Sequence, residues 1–289
     1  MDLNQKRQTE VMVVGAKKAA APPVLSFRGT QVNVTDKYKY LGIWFTSSLT
    51  WDHHIDYMVD RASKRTGELR AMIRNPKIPV RAKLLVWNSY VRPLLEYGSE
   101  VWEANSKQDA KISAVQQQAL TKIMKLNVKT RGTTVLALAK TQSLITRRKK
   151  ARLNYLGKLL TQDFDRISRC VIFEDKFDYR RAKKTAKPHW KTSTIETING
   201  DLSLKVAYGK LLEALNRNGG ILPSEEEPMI QGSFPLKTWC SAVDDWATRS
   251  TIASIKGTSD SVAIITRGLK FRTQEDASVC SDEESQQRC

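Results

Sequence analysis

The sequence predicts an α+β fold, mainly α: a small antiparallel hairpin or sheet at the N-terminus, then a three-helix bundle, then a basic helical extension. Three observations carry this reading. Short β-type segments are confined to the first 51 residues, where the aromatic stretch YKYLGIWFTSSLTW (38–51) is too apolar for an ordinary surface loop and reads as a buried hairpin. From Asp52 the apolar residues change to helical spacing, and three successive stripes imply a compact bundle. Over the chain as a whole, 48 Lys and Arg stand against 30 Asp and Glu, a formal charge of +18.

In chain order, TEVMVV (9–14) reads as a short buried strand and GAKKAAAPP (15–23) as a loop broken by two prolines. VLSFRGTQVNV (24–34) reads as two short strands across Arg28–Gly29, and Tyr38 to Phe45 as a third, with Gly42 marking a bulge or the close approach of another backbone. The first helix carries Ile55, Met58, Val59, Ala62, Leu69, Met72 and Ile73 on one stripe. Thr50 or Asp52 caps its start and NPKIP (75–79) stops it. A second helix runs from Pro79 to Tyr97 with Val80, Leu84, Trp87, Val91, Leu94 and Leu95 inward, kinked at Pro93, with Gly98 near its end. The third runs from Ser106 to Leu126, with Ile112, Val115, Ala119, Ile123 and Leu126 on its inner stripe.

Beyond VKTRGTT (128–134) a short helix precedes a longer one from Leu144 to Thr161. YRRAKKTAKPHW (179–190) reads as a basic linker, helical patterns return near 202–217 and 236–256, and the acidic tail TQEDASVCSDEESQQRC reads as disordered. The organisation expected is therefore four units: strands and hairpin over 1–51, a helical bundle over 52–130, a basic helical connection over 131–189, and a C-terminal helical region over 190–289.

Composition narrows the function. A hydrophobic content of 40% permits a sizeable core, yet the mean hydropathy of −0.44 leaves much of the chain solvated. No apolar run is long enough to span a membrane, and MDLNQKRQTE lacks the apolar segment of a signal peptide. An intracellular protein is expected, nuclear or cytoplasmic, with no membrane partner. Four cysteines without CxxC spacing indicate neither a disulfide framework nor a zinc ribbon. The cationic excess points to a polyanion, since phosphate contact releases counterions. RNA and RNA–DNA or DNA duplexes are the partners this implies; protein partners are left open.

Three segments, LNQKRQTEVMVVG, KYKYLGIWFTSSLTWDHHI and VWNSYVRPLLEYGSEVW, in that order, resemble the end of the reverse transcriptase domain of non-LTR (LINE-type) retrotransposons. The resemblance covers residues 3 to 160, more weakly through RGTTVLALAK and RRKKARLNYLGKLL. It implies that 3–14 form the last palm strand region, 38–51 the primer-grip hairpin and 52–126 the thumb.

The family is an RNA-directed DNA polymerase that positions two metal ions with palm carboxylates, one set in an aromatic-x-Asp-Asp turn. No such turn occurs here, and the sole Asp before Asp36 is Asp2. AVDDW, with Asp244 and Asp245, has Ala242 where the aromatic belongs and reads as a solvated helix face. Gln8 stands where the family has a lysine. This chain alone is therefore expected to be non-catalytic, with no catalytic residue and no metal site; magnesium is expected only with an intact palm. His53, His54 and Asp56 read as helix-start packing.

Candidate nucleic-acid contacts follow from both readings. Tyr40, Leu41 and Gly42 match the family's primer grip. Tyr57, Arg61 and Lys64 lie on one outer face of the first helix, an aromatic interleaved with cations that can stack and pair with phosphates. Lys111, Lys122 and Lys125 lie on the third helix, and Arg81 and Arg92 on the second. The densest run is RRKKAR, with Arg147, Arg148, Lys149, Lys150 and Arg152, which encircles its helix; with RRAKK (180–184) it also reads as a nuclear-import signal. The competing reading is a basic helical scaffold or partner-binding protein, or a degenerate element product with no selected function.

Overall fold

The structure, a computed structural model, describes residues 10–14, 26–27, 30–162, 166–168, 190–217 and 235–256. The fold is α+β and mainly helical, as the sequence predicts. β1 (Glu10–Val11), β2 (Ser26–Phe27), β3 (Thr30–Gln31) and β4 (Asn33–Val34) are short; β2 pairs antiparallel with β3, while β1 runs parallel to β4. The segment around β1 is not the buried strand that TEVMVV suggests. Glu10 and Val14 are exposed and the residues between them half-buried, because a two-residue ladder covers little of either face.

A second correction concerns the aromatic stretch. The hairpin expected over 38–51 is present, but the stretch 38–45, expected as one of its strands, spans both arms: β5 (Lys37–Tyr40) and β6 (Ile43–Thr46) pair Lys39↔Trp44 and Tyr40↔Ile43 across Leu41–Gly42. Both turn residues have positive φ, 46° and 84°, as a two-residue type I′ turn requires. Gly42 thus makes the turn instead of a bulge. Nor is the hairpin buried: β5 is exposed along its length, and β6 is half-buried against the helices.

The first helix is α1 (Asp52–Glu68) followed by α2 (Arg70–Arg74), interrupted at Leu69, just after Gly67 and Glu68. Neither expected cap is used. Trp51 is the N-cap and makes no side-chain cap bond, because Thr50 is turned back into the hairpin, its N–H donating to Thr46 Oγ1 at 3.2 Å. Asp52 already lies in the helix and accepts from Gln108 Nε2 at 2.6 Å.

The second helix is likewise two, α3 (Val80–Tyr90) and α4 (Arg92–Glu96). The break falls at Val91, two residues before Pro93, since proline has no N–H to continue the ladder and is tolerated in the first turn of the new helix. Val80, expected inward, is exposed at the start of α3. The third, α5 (Ser106–Ile123), opens with a reciprocal capping box between Asn105 and Gln108. The three stripes meet as predicted: Ile55, Met58, Trp87, Leu95, Ile112 and Ile123 are buried in one core.

Next come α6 (Gly132–Leu138), α7 (Leu144–Leu160), α8 (Trp190–Asn199), α9 (Leu202–Arg217) and α10 (Pro235–Lys256). Leu144 at the start of α7 joins the first core, while Leu153, Leu156 and Leu160 join a second with Leu204 and Leu211 of α9 and Trp239 and Val243 of α10. The approach of α7 to α10 depends on Gly157: a Cβ there would lie 2.6 Å from the buried Trp239 ring. The basic linker, apart from Trp190, and the acidic tail lie outside the described residues.

Candidate nucleic-acid interface

The hairpin is seated by the segment after α4. Tyr97 donates its hydroxyl to the Leu41 carbonyl at 2.9 Å, and its ring lies where a Cβ on Gly42 would approach within 3.0 Å. Gly98, at φ 64°, leaves room for Ile43, whose Cδ1 would be 2.7 Å from a Cβ. Trp102, buried, donates its indole N–H to the Tyr97 carbonyl at 3.0 Å. EYGSEVW is thus the cradle of the YLG turn, which gives the joint presence of the two motifs a physical reason. Held this way, Tyr40 and Leu41 project as exposed groups, Leu41 at 74% exposure.

His54 fixes the other side of the joint. It is buried, with its ring edge-on to Trp51 and Trp102, and its Nδ1 accepts the Trp44 N–H at 3.4 Å. Burial, reinforced by the nearby charges of His53 and Lys39, lowers its pKa to about 4. It is a neutral packing residue, as expected. Among the described residues no group of three or more His, Cys, Asp and Glu side chains is placed to hold a metal ion. Asp244 and Asp245 do not fit a polymerase metal pair: both are exposed on α10, and Asp244 is bonded to Lys150 at 2.7 Å.

Where hairpin meets α1, a cationic and aromatic cluster forms. Lys39 Nζ donates to the Tyr57 hydroxyl at 2.8 Å and lies 4.7 Å from that ring's centroid and 5.8 Å from that of Trp44. The Arg61 guanidinium lies 5.5 Å from the Tyr57 ring's centroid and donates to the same hydroxyl at 3.5 Å. The Lys39 hydrogen bond, joined by the Arg61 charge, lowers the Tyr57 pKa. No carboxylate pairs with Lys39, Arg61 or Lys64 among the described residues, although Glu68 on the same helix is held by Arg65 at 2.8 Å. Lys39 is not among the residues that the sequence singles out; its strand neighbours hide it, and only the hairpin register places it opposite Trp44.

The remaining candidates divide sharply. Arg81, Lys122, Lys125 and Lys149 are exposed and unpaired among the described residues. Lys111 is exposed but bonded to Asp56 at 2.6 Å. Arg92 is half-buried beside Glu96, its pKa lowered by burial, and Arg147 is bonded to the same Glu96. Arg148 and Arg152 are buried and cannot meet a phosphate from outside, which removes both from the nucleic-acid face. Arg148 is bonded to Asp109 and lies 5.3 Å over the Trp102 ring. Arg152 reaches Glu103 at 3.1 Å and the Trp102 carbonyl at 3.1 Å. The signal was present: Leu144, Arg148, Arg152 and Leu156 recur every four residues, so the two arginines sit within the apolar stripe.

No family model matches the chain, and no solved structure matches it. It is similar to a probable RNA-directed DNA polymerase from transposon BS of Drosophila melanogaster, 28% identical over 113 residues, which are 38% of this chain and 12% of that protein. It is also similar to an uncharacterised protein of Caenorhabditis elegans, 32% identical over 82 residues, which are 28% of this chain and 40% of that one. Part of the chain is thus related to a transposon reverse transcriptase, and the chain spans well under half the length of either relative. No helix among the described residues is long and apolar enough to cross a membrane.

Proposed function

We propose that the chain is the C-terminal part of a LINE-type reverse transcriptase, whose hairpin and thumb-like bundle bind RNA–DNA or RNA duplexes without transferring nucleotides themselves. The observation that carries this reading is the cluster at the hairpin–α1 joint. Lys39, Tyr57 and Arg61 combine a π-face with unpaired cations, the equipment for stacking on a sugar or base while neutralising phosphates. The exposed Tyr40–Leu41 tip beside it supplies an apolar edge for a strand terminus. The relationship to a transposon polymerase supports the same partner class.

The test is binding of a labelled RNA–DNA duplex, followed by fluorescence anisotropy. Arg61→Ala with Lys64→Ala is expected to weaken binding about tenfold, at roughly 1 kcal/mol or less per exposed charge, while leaving the melting curve in place. Unchanged affinity in that variant would overturn the assignment of this face.

A further inference from the structure

Where α1 and α2 meet the end of α5, a groove of about 670 Å³ opens in the bundle. Arg70, Arg74, Lys122 and Lys125 line it, and no acidic side chain does. None of the four is ion-paired among the described residues: Glu68 is held by Arg65 and Asp56 by Lys111. Helix dipoles account for Arg74 and Lys122, which lie in the last turns of α2 and α5. They do not account for Arg70, which is the first residue of α2. Four like charges gathered around one concavity repel one another unless an anion enters.

The neutral lining fits the same ligand. Thr66 has its hydroxyl committed to the Ala62 carbonyl at 2.8 Å, whereas Ser63 and Gln118 are exposed and their side chains make no hydrogen bond among the described residues. They leave a hydroxyl and an amide as free donors. No aromatic side chain lines the groove, so nothing there stacks on a base. None of Lys39, Tyr57, Arg61 and Lys64 lines the groove. Ser63 follows Arg61 by two residues, which is about 200° around α1.

We infer that this groove is an oligophosphate site, taking two or more adjacent phosphate groups by charge and hydrogen bonds, independently of the duplex face. The shared chemistry is a chain of closely spaced phosphates, supplied by a free oligophosphate or by the backbone of a single nucleic-acid strand. The inference does not rest on the duplex reading, and either can fail alone.

Calorimetric titration of the full chain with inorganic tripolyphosphate, in roughly 50 mM monovalent salt to limit screening, reads the site directly. Saturable binding is expected. Arg74→Ala with Lys122→Ala should weaken it at least about tenfold, and Gln118→Glu, which adds a carboxylate at an exposed position, should do the same. Arg61→Ala with Lys64→Ala should leave it within about twofold. A melting curve for each variant separates loss of the site from loss of the fold. A thymidine oligonucleotide provides the second arm. If it competes with tripolyphosphate and loses affinity in the groove variants, the source is a strand backbone; if only tripolyphosphate depends on the groove, it is a free oligophosphate. Absence of saturable binding to the wild-type chain, or equal weakening by the groove pair and the hairpin pair, would overturn the site.

Discussion

Leu41 occupies a conformation that its side chain disfavours. At φ 46° an L-residue brings its Cβ against the following carbonyl, costing about 1–2 kcal/mol, and type I′ turns normally hold Asn, Asp or Gly. Burial offers no compensation, because the side chain is 74% exposed. Strain kept at an exposed apolar tip is expected where the side chain serves a partner. Leu41→Asn should therefore raise the melting temperature and weaken duplex binding; a rise in both would remove the tip from the interface. His54, at the other side of the joint, makes a pH prediction. Its pKa is about 4 in the fold against an ordinary 6.5, so between these values the unfolded chain binds the extra proton. Stability contributed by neutral His54 is complete above pH 6.5 and is lost as pH falls toward 4. Melting temperatures measured across that range should show the fall, and His54→Asn, which keeps an acceptor but cannot titrate, should flatten it.

At the scale of elements, what was legible in the sequence depended on whether a signal was local. The apolar stripes of α1, α3 and α5 follow the helical period, and the burial of Ile55, Trp87 and Ile112 was readable from it. Breaks were readable only where a residue forces them, as Pro93 does; the interruption at Leu69 has no comparable marker. The hairpin tip reads as strand because Leu-Gly is an unusual filling for a turn whose support, Tyr97, lies 56 residues away. RRKKAR misleads for the opposite reason. A dense cationic run reads as solvated until its partners Asp109, Glu103 and Glu96 arrive from other elements. Burial lowers the pKa of Arg148 and raises that of Asp109, so desolvation works against both charges and each holds the other ionised. Removing one partner leaves the other buried and uncompensated. Arg148→Ala should cost about 3–5 kcal/mol in denaturant unfolding. Lys149→Ala, one residue along on the exposed face, should cost less than about 0.5 kcal/mol. Similar costs from the two would contradict the orientation of α7.

For the whole molecule, the formal charge of +18 overstates the field offered to a partner. Arg147, Arg148, Lys150 and Arg152 are tied to carboxylates within the helical assembly, and Lys111 and Arg92 have acidic neighbours of their own. On the hairpin side, Lys39, Arg61 and Lys64 remain unpaired among the described residues, with Arg81 and Lys149 available elsewhere on the surface. Binding by this set together with neighbouring exposed cations should neutralise about 5–7 phosphates. The logarithm of the association constant should then fall against the logarithm of salt concentration with a slope of roughly −4 to −6. Two unrelated duplex sequences should give the same slope, because phosphate contacts carry no sequence information. Replacing Arg61 and Lys64 by Ala should make the slope shallower by about one for each phosphate left unneutralised. A basic scaffold that engages a protein groove would respond weakly to salt and ignore that pair. A slope near zero for the wild-type chain would thus remove nucleic acid as the partner and leave the relationship to a polymerase as one of origin alone.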